Sequence, residues 1–352
     1  MPEPAARPSA LDAKKSVMLG LLGLAVVVLI FVRLIPQIGS YHDAITSLKA
    51  MTAGAVACVV VSVLVYLAAY GLPFLAATPG LSYWRSQQLN QGAFAISNGV
   101  PAGGAFGLGV QYAMLASYAM GPTVSTAAIT AVGVWSIFVT LGLPIFGVAA
   151  ILLSGHGASS YLLTAVVSLL VLAVSIVAFA LIVRSADAAR RIGSIGNRIA
   201  APIAGRSRKG HSVDLVPAAL TFRSDISGLV NRRWTAITGS QVSVSITQFL
   251  ILYMALRGVE GWAEARTSLL VAFGAFAVAQ IGLMIPITPG GLGTVDAVMI
   301  ALLTAMNVNA GAATAADLVW RAASFVPQIV IGIVALITWS RQGVRPGRVG
   351  SP

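Results

Sequence analysis

Charge is scarce in this sequence. Only 9% of its 352 residues are Asp, Glu, Lys or Arg, and acids number just 10. A typical soluble domain has about 25% charged residues, so this composition excludes an ordinary soluble protein. Cys58 is the only cysteine, which excludes an intrachain disulfide and a cysteine-based metal site. His42, His156 and His211 lie far apart near the ends of apolar runs, so we expect solvated loop residues and neither a metal nor a cofactor.

Apolar sequence is abundant. Hydrophobic residues make up 57% of the chain, and runs close to the ~20 residues that cross a bilayer recur along it. This pattern predicts an all-α, polytopic membrane protein with about six to eight spans. The net charge of +12 comes from basic residues between the apolar runs. That is the positive-inside pattern of a multi-pass cell-membrane protein and does not indicate a nucleic-acid partner.

The distribution of basic residues also predicts the orientation. The run from Ser16 to Ile35 is long for a signal peptide, so it is interpreted as a retained first span with residues 1–15 in the cytoplasm. Residues 184–233 contain ten of the 22 basic residues against three acids, which predicts a cytoplasmic loop. Residues 16–340 form one predicted transmembrane domain. The tail 341–352, with three arginines, is also expected inside.

Two stretches interrupt apolar runs with prolines and glycines. One lies near 89–120 and contains Pro101-Ala-Gly-Gly104, and the other lies near 267–306 and contains Pro289-Gly-Gly291. Four clear spans already separate the cytoplasmic N-terminus from the basic loop, so parity requires each stretch to enter and leave the membrane on one side. The sequence therefore predicts two oppositely oriented re-entrant hairpins, as in a transporter built from an inverted repeat.

Three ionisable residues lie in or after the second break: Asp296, Asp317 and Arg321. Such groups at membrane depth cost roughly 2.5–3.5 kcal/mol each, so they normally face a partner or a watery cavity. One interpretation is a buried ion pair that locks two helices together. The other is a binding site in which Arg321 meets a phosphate. Either acid is a candidate partner for Arg321, because Asp317 lies one helical turn before it.

The remaining candidate site residues break the helices or add polarity near the breaks. They are Pro289, Gly290, Gly291, Gly293, Gly103, Gly104, Asn98 and Arg85. The glycines allow either close helix packing or exposure of the backbone to a ligand. Free amide groups at the start of a half-helix suit a phosphate or carboxylate. Arg85, in a loop predicted over 78–88, is interpreted first as an interfacial anchor and second as a gate for anionic head groups.

Three motifs carry a family resemblance. Pro289-Gly-Gly-Leu-Gly-Thr-Val-Asp296, the later Trp320-Arg321 and the earlier Asn98-Gly-Val-Pro-Ala-Gly-Gly104 together resemble the transmembrane region of lysylphosphatidylglycerol synthases. Stand-alone relatives of that region are described as flippase-like integral membrane proteins. The chain departs from the family in two places. An aspartate stands at position 296 where glutamate is common, and the first motif reads Pro-Ala-Gly-Gly where the family usually has Pro-Gly-Gly.

The resemblance implies lipid handling, with a core formed by Gly290, Gly291, Asp296 and Arg321. We expect a transporter or flippase that moves a polar, phosphate-bearing lipid between leaflets of the cytoplasmic membrane, and aminoacylated and polyprenyl-linked lipids are among the candidates. The alternative is an accessory or catalytic membrane subunit in lipid-linked glycan or aminoacyl-lipid synthesis. The soluble aminoacyl-transferase domain of the synthases is not found in these residues, so we expect no enzymatic activity. The expected partner is a phospholipid or polyprenyl-linked lipid, and a homodimer or a lipid-synthesis enzyme stays open.

Overall fold

The computed structural model of the protein describes residues 45–46, 48–99, 103–155, 215–262, 266–284 and 289–341, with isolated positions between 170 and 197. Every regular element in this part of the chain is helical, as the sequence predicts. The α-helices are α1 (Ala53–Tyr70), α2 (Leu72–Ala77), α3 (Tyr83–Gly99), α4 (Gly103–Ser117), α5 (Pro122–Leu153), α6 (Leu215–Glu260), α7 (Leu269–Ala279), α8 (Thr294–Ala305) and α9 (Ala310–Arg341). Short 3₁₀ helices, Gln280–Met284 and Pro289–Gly291, lie between α7 and α8.

Four of the described helical segments are long and apolar enough to cross a membrane. They are Ala53–Ala77 (α1 with α2), α5, Arg232–Glu260 of α6, and α9. The predicted multi-pass membrane character is thereby confirmed. The total of six to eight spans stays a prediction, because the first predicted span and both tails, apart from Arg341, lie outside the described residues.

Polar side chains cap several of these helices. Thr52 Oγ1 accepts a hydrogen bond from the Ala55 amide (3.2 Å), and Ser268 Oγ accepts one from the Val271 amide (3.2 Å). Asn309 Oδ1 accepts bonds from two amides in the first turn of α9, at 2.9 and 3.2 Å. The first amides of a helix have no partner inside it, so these caps satisfy groups that are costly to leave unpaired in apolar surroundings.

The boundary predicted for the first hairpin is wrong. The loop expected over 78–88 is largely the first turns of α3, so Arg85 lies on a helix that begins at Tyr83 rather than near residue 89. Side chains of these turns bind carbonyl oxygens near the end of α1, as where Gln87 Nε2 donates to Leu67 (2.6 Å). A hydropathy pattern does not reveal that side chains of this polar segment form hydrogen bonds with a neighbouring helix.

The basic loop predicted over 184–233 is helical in its last part. α6 begins at Leu215 and continues without a break through the apolar segment that ends at Glu260. The apolar part of α6 packs against α1, α5 and α9, and the helix extends beyond that packed part into polar sequence. The cytoplasmic location of the loop stays a prediction.

α3 and α4 form an antiparallel hairpin. Near the tip, a Cβ on Gly103 would lie 2.2 Å from the carbonyl oxygen of Ile96, so the two backbones touch there. At the other end, Tyr118 Oη donates to Gln88 Oε1 (2.7 Å). Both helices therefore return to the same end, which holds Gln88 and Tyr118.

α7 and α8 pack together on either side of the second break. Thr294 Oγ1, at the start of α8, donates to the carbonyl oxygen of Gly282 (3.2 Å). The opposite end of α7 lies beside the end of α6, where the Thr267 amide donates to Glu260 Oε2 (3.2 Å). These contacts give the second hairpin its own open end, next to the end of α6.

The two hairpins open at opposite ends of α1. α3 begins beside the last turns of α1, whereas Gly258 near the end of α6 lies against Met51 and Ala55 at the start of α1. The 18 residues of α1 span about 27 Å, close to the ~30 Å of a hydrocarbon core. Opposed open ends are what the predicted hairpins require, and their re-entry into a membrane stays a prediction.

Several helix boundaries recur at the same separation along the chain. Four pairs of positions, each 188 residues apart, mark helix ends or the turn that follows: Pro122 and Ala310, Leu153 and Arg341, Ser117 and Ala305, Ala119 and Asn307. The last two have left-handed φ values of 62° and 67°. The same separation relates Pro101 to Pro289. The inverted repeat itself stays a prediction.

Two large buried apolar clusters form most of the core. One lies mainly among α6–α9 and includes Phe249, Phe276 and Trp320, and the other lies mainly among α2–α5 and includes Leu89 and Met114. α9 packs against α3, α6 and α8, so it lies between the clusters. The polar residues of α9 are held at this junction.

Candidate functional site

Arg321 and Asp296 form a buried ion pair between α9 and α8. Arg321 Nε lies 2.7 Å from Asp296 Oδ1, and the two side chains are 2% and 1% exposed. Arg321 Nη1 donates to the carbonyl oxygen of Gly290 (3.3 Å). The guanidinium carbon also lies 4.6 Å from the ring centroid of Trp320 and 5.0 Å from that of Phe325. A carboxylate, a carbonyl and two aromatic rings therefore hold the arginine.

Asp296 also caps the N-terminus of α8. Its Oδ2 accepts a hydrogen bond from the Gly293 amide (2.5 Å), immediately before Thr294 begins the helix. A carboxylate in the first turn is stabilised by free amides and by the positive end of the helix dipole. The chain's own carboxylate thus occupies part of the anion site expected at this half-helix. The expectation of free amides is wrong for Gly293.

Three glycines form the turn before α8. Gly290, Gly291 and Gly293 have φ values of 62°, 66° and 86°, a left-handed region that costs a residue with a side chain about 1–2 kcal/mol. Space is also limited, because a Cβ on Gly290 would lie 2.5 Å from Phe325 Cζ and one on Gly291 would lie 2.8 Å from Val295 Cγ2. Conformation favours glycine at all three positions, and packing also requires it at Gly290 and Gly291.

The two hairpins meet at this turn. A Cβ on Gly290 would lie 2.9 Å from Oδ1 of Asn98, in the last turn of α3. One turn earlier, Phe94 packs edge-to-face on Phe325 of α9, with ring centroids 5.3 Å apart. Among the candidates in the first hairpin, Asn98 is the one that these contacts bring to the second break.

Asp317 lies one turn before Arg321 and is fully buried. Neither of its carboxylate oxygens has a hydrogen-bond partner within the described residues, and the same holds for Arg321 Nη2. Asp317 is nevertheless within electrostatic range of both Asp296 and Arg321. The structure therefore pairs Arg321 with Asp296, a choice that the sequence left open. The Nη2 amino group of Arg321 and the carboxyl group of Asp317 therefore keep the capacity to bind a further group.

Buried polar side chains continue from this site along α9. Ser324 and Gln328 follow Arg321 by three and seven residues, so they share its helix face, and both are fully buried. Tyr66 of α1 donates to Gln328 Oε1 (3.1 Å), and Gln328 Nε2 has no partner among the residues described. Sequence reasoning missed Tyr66 and Gln328 as site residues. The spacing of polar residues from Asp317 onward was the signal for Gln328.

Of the remaining candidates, Gly103, Gly104 and Arg85 lie apart from the ion pair, whereas Pro289 lies beside it. Gly103 packs within its own hairpin, and nothing lies within 4 Å of a Cβ added to Gly104. Arg85 lies at the open end of that hairpin, its guanidinium carbon 5.3 Å from the ring centroid of Tyr118. Pro289 begins the short 3₁₀ helix beside the ion pair. The described residues contain no group of three or more His, Cys, Asp or Glu side chains placed to hold a metal ion.

Long apolar helices, two opposed hairpins of shorter helices and an ion pair buried at their junction define a polytopic membrane protein with a polar interior site. The chain belongs to the family described as the Lysylphosphatidylglycerol synthase TM region, which matches residues 18–332. The resemblance drawn from the sequence motifs is thereby confirmed. No curated protein matches the chain. Membership of this family relates the protein to membrane lipid synthesis or flipping.

Proposed function

We propose that the protein is a flippase, which moves a phosphate-bearing polar lipid between the leaflets of the cell membrane and catalyses no covalent step. The observation that carries this proposal is the Asp296–Arg321 pair buried where the two hairpins meet. Desolvation offsets much of the attraction within a buried ion pair, so stability alone is a weak reason for one in apolar surroundings. A function that uses the charges is the better explanation.

Arg321 supplies the group that binds the lipid phosphate. Asp296 holds its Nε and the Gly290 carbonyl holds its Nη1, while Nη2 has no partner in the described chain. A phosphate accepts two parallel bonds from a guanidinium, so it competes with the carboxylate for this side chain. Asp296 is then the resident anion that fills the site between lipids. Its bond to the Gly293 amide couples the exchange to the turn before α8.

The constant 188-residue separation supports movement by alternating access. Repeats of opposite orientation exchange conformations, so that a site at their junction faces one leaflet and then the other. Each half here has a hairpin of short helices followed by a helix of 32 residues, α5 or α9. The left-handed glycines at 290, 291 and 293 provide the hinge beside the ion pair.

Reconstitution into liposomes tests the proposal. The probes are NBD-labelled phosphatidylglycerol, phosphatidylethanolamine and a polyprenyl phosphate. Dithionite quenches only outer-leaflet label, so further protein-dependent quenching reports lipid movement. Arg321→Ala is expected to abolish this movement. Arg257→Ala removes an arginine that lies over the Trp262 ring, away from the site, and is expected to retain it.

Two results contradict the proposal at different levels. If folded wild-type protein moves none of the three lipids, it is not a flippase for phosphate-bearing lipids. If Arg321→Ala moves lipid at the wild-type rate, flipping takes place without the buried pair and the site is assigned wrongly.

A further inference from the structure

A lateral groove of about 890 Å³ lies between α1, α3 and α9, where the first hairpin opens. Its walls are apolar, with Leu64 and Leu67 from α1 and Ile331 and Val334 from α9. Leu64, Ile331 and Val334 are exposed at its surface. The remaining strip of lining comes from α3 and is polar. A groove that is open, apolar on two sides and polar on the third suits an amphipathic ligand.

The polar strip has a cation without a counter-ion and an acceptor without a donor among the described residues. Arg85 is exposed and forms no ion pair within the described chain. Gln88 is fully engaged, since Nε2 donates to the Ala335 carbonyl (3.1 Å) and Oε1 accepts from Tyr118 Oη (2.7 Å). Gln91 is 1% exposed, yet its Oε1 has no partner among the described residues. A cation and an unpaired buried acceptor therefore lie about 9 Å apart along α3.

At the corresponding place in the second half, the described side chains are apolar and packed. A step of 188 residues replaces the three polar positions with Phe273, Phe276 and Ala279. Phe276 and Ala279 are buried, and the rings of Phe273 and Phe276 pack on Phe249 with centroids 5.2 and 5.6 Å apart. The groove therefore coincides with polar side chains that the corresponding positions of the second half lack. It occurs in the half that carries the polar side chains.

We propose that this groove docks one phospholipid from the leaflet at the open end of the first hairpin. The phosphate binds Arg85, and a head group that carries an N–H or O–H donor reaches Gln91. The acyl chains follow the apolar wall at Val334 into the bilayer. Trp84, 78% exposed beside Arg85, lies at the interface between head groups and chains. Charge complementarity and the buried acceptor favour this occupant over an apolar helix.

The inference rests on the proposed function at one step, the transfer of the docked lipid from the groove to Arg321. The binding of lipid in the groove does not depend on that step. Phosphatidylethanolamine and phosphatidylcholine with identical acyl chains are matched probes, because both have the phosphate and only the first has N–H donors. Native mass spectrometry of the full chain in detergent measures the binding of each. The wild type is expected to prefer phosphatidylethanolamine by about fivefold, as for one hydrogen bond.

Two variants and a control separate the contributions. Gln91→Leu should abolish the preference and keep the thermal stability at or above that of the wild type, because it removes an unpaired buried acceptor. Arg85→Gln should weaken the binding of both lipids. Arg257→Gln is the matched control, since its guanidinium carbon lies 5.5 Å from the Trp262 ring centroid, near the opposite end of α1. It should leave both affinities unchanged.

Equal binding of the two lipids by the wild type, or a preference that survives in Gln91→Leu, would overturn the assignment of the groove. The flippase proposal fails separately. If the wild type shows the preference but moves no lipid in liposomes, the docking site is supported and the flippase proposal is contradicted. If the Arg85→Gln protein moves lipid at the wild-type rate, docking at Arg85 is not a step of transport, and the flippase proposal is unaffected.

Discussion

Asn98, in the last turn of α3, lies so close to Gly290 that a Cβ on the glycine would come within 2.9 Å of Asn98 Oδ1. The two residues belong to hairpins that open at opposite ends of α1. Gly290 also gives its carbonyl oxygen to Arg321. Gly290 therefore belongs both to the contact between the hairpins and to the binding of Arg321, so a change at this glycine affects both.

Replacing Gly290 by alanine tests this arrangement. The positive φ of 62° alone should lower the free energy of unfolding by about 1–2 kcal/mol. The new Cβ would also lie 2.5 Å from Phe325 Cζ, so the turn must shift away from Arg321 and lipid movement should fall. Thermal unfolding in detergent and the liposome assay measure the two effects. Gly104→Ala, whose Cβ meets nothing within 4 Å, should change stability by less than about 0.5 kcal/mol.

A double-mutant cycle separates a helix lock from a transport site. Asp296→Ala or Arg321→Ala alone leaves one buried charge unpaired and should cost about 3–5 kcal/mol of unfolding free energy. The double variant should be more stable than either single variant, because it removes the charge that each single substitution leaves without its partner. It should still move no lipid. If the double variant regained both stability and transport, the ion pair would have a structural role only.

Asp317 and Asp296 are expected to respond differently to the same substitution. Asp317→Asn removes no hydrogen bond seen within the described residues, so the free energy of unfolding should stay constant or rise. Asp296→Asn removes the partner of Arg321 and should lower it. If Asp317 contacts the lipid, its variant should lose transport while remaining folded. A stability loss as large as that of Asp296→Asn would instead make Asp317 part of the structural pair.

The sequence predicts the residues of this site better than their pairing. Asp296 and Arg321 stand out because ionisable groups are rare and costly in apolar runs. Asp317 has the better local spacing for a bond to Arg321, yet the bond crosses to α8. That choice depends on where the glycine turn places the start of α8. Such a tertiary relation leaves no signal in helical periodicity.

The same limit applies to the fold. Long apolar runs identify α5 and α9 correctly, because burial against lipid requires them. The polar composition of the first turns of α3 predicts a loop, and this prediction is wrong because hydrogen bonds to carbonyl oxygens of another helix stabilise these turns. Tyr66 and Gln328 are 262 residues apart along the chain. Their hydrogen bond follows only once α1 and α9 are known to be neighbours.

Two glycines of α5 provide a matched test of helix packing. A Cβ on Gly147 would lie 2.9 Å from Ala277 Cβ and 3.1 Å from the carbonyl oxygen of Gly274, whereas one on Gly133 meets nothing within 4 Å. Gly147→Ala should therefore force α5 and α7 apart and lower the free energy of unfolding by about 1–3 kcal/mol. Gly133→Ala should raise it, by up to about 1 kcal/mol. Equal thermal shifts in the two variants would contradict the close approach of α5 and α7.

The opposed opening of the two hairpins predicts labelling from opposite sides of the membrane. Cys58→Ala removes the single cysteine, so Trp84→Cys or Trp262→Cys then provides one thiol, at positions where tryptophan is 78% and 41% exposed. These positions lie near opposite ends of α1, which are about 27 Å apart. With the basic loop inside, a membrane-impermeant maleimide should label Trp262→Cys in intact cells and Trp84→Cys only after permeabilisation.

Labelling of both positions from the same side would be incompatible with hairpins of opposite orientation. It would remove the basis for alternating access even if lipid movement were observed. The reverse pattern, with Trp84→Cys labelled from outside, would keep the opposed hairpins and invert the predicted orientation. The groove beside Arg85 would then dock lipid from the outer leaflet, because its position relative to α1 is fixed by the contacts of α3 and does not depend on which end of the molecule is inside.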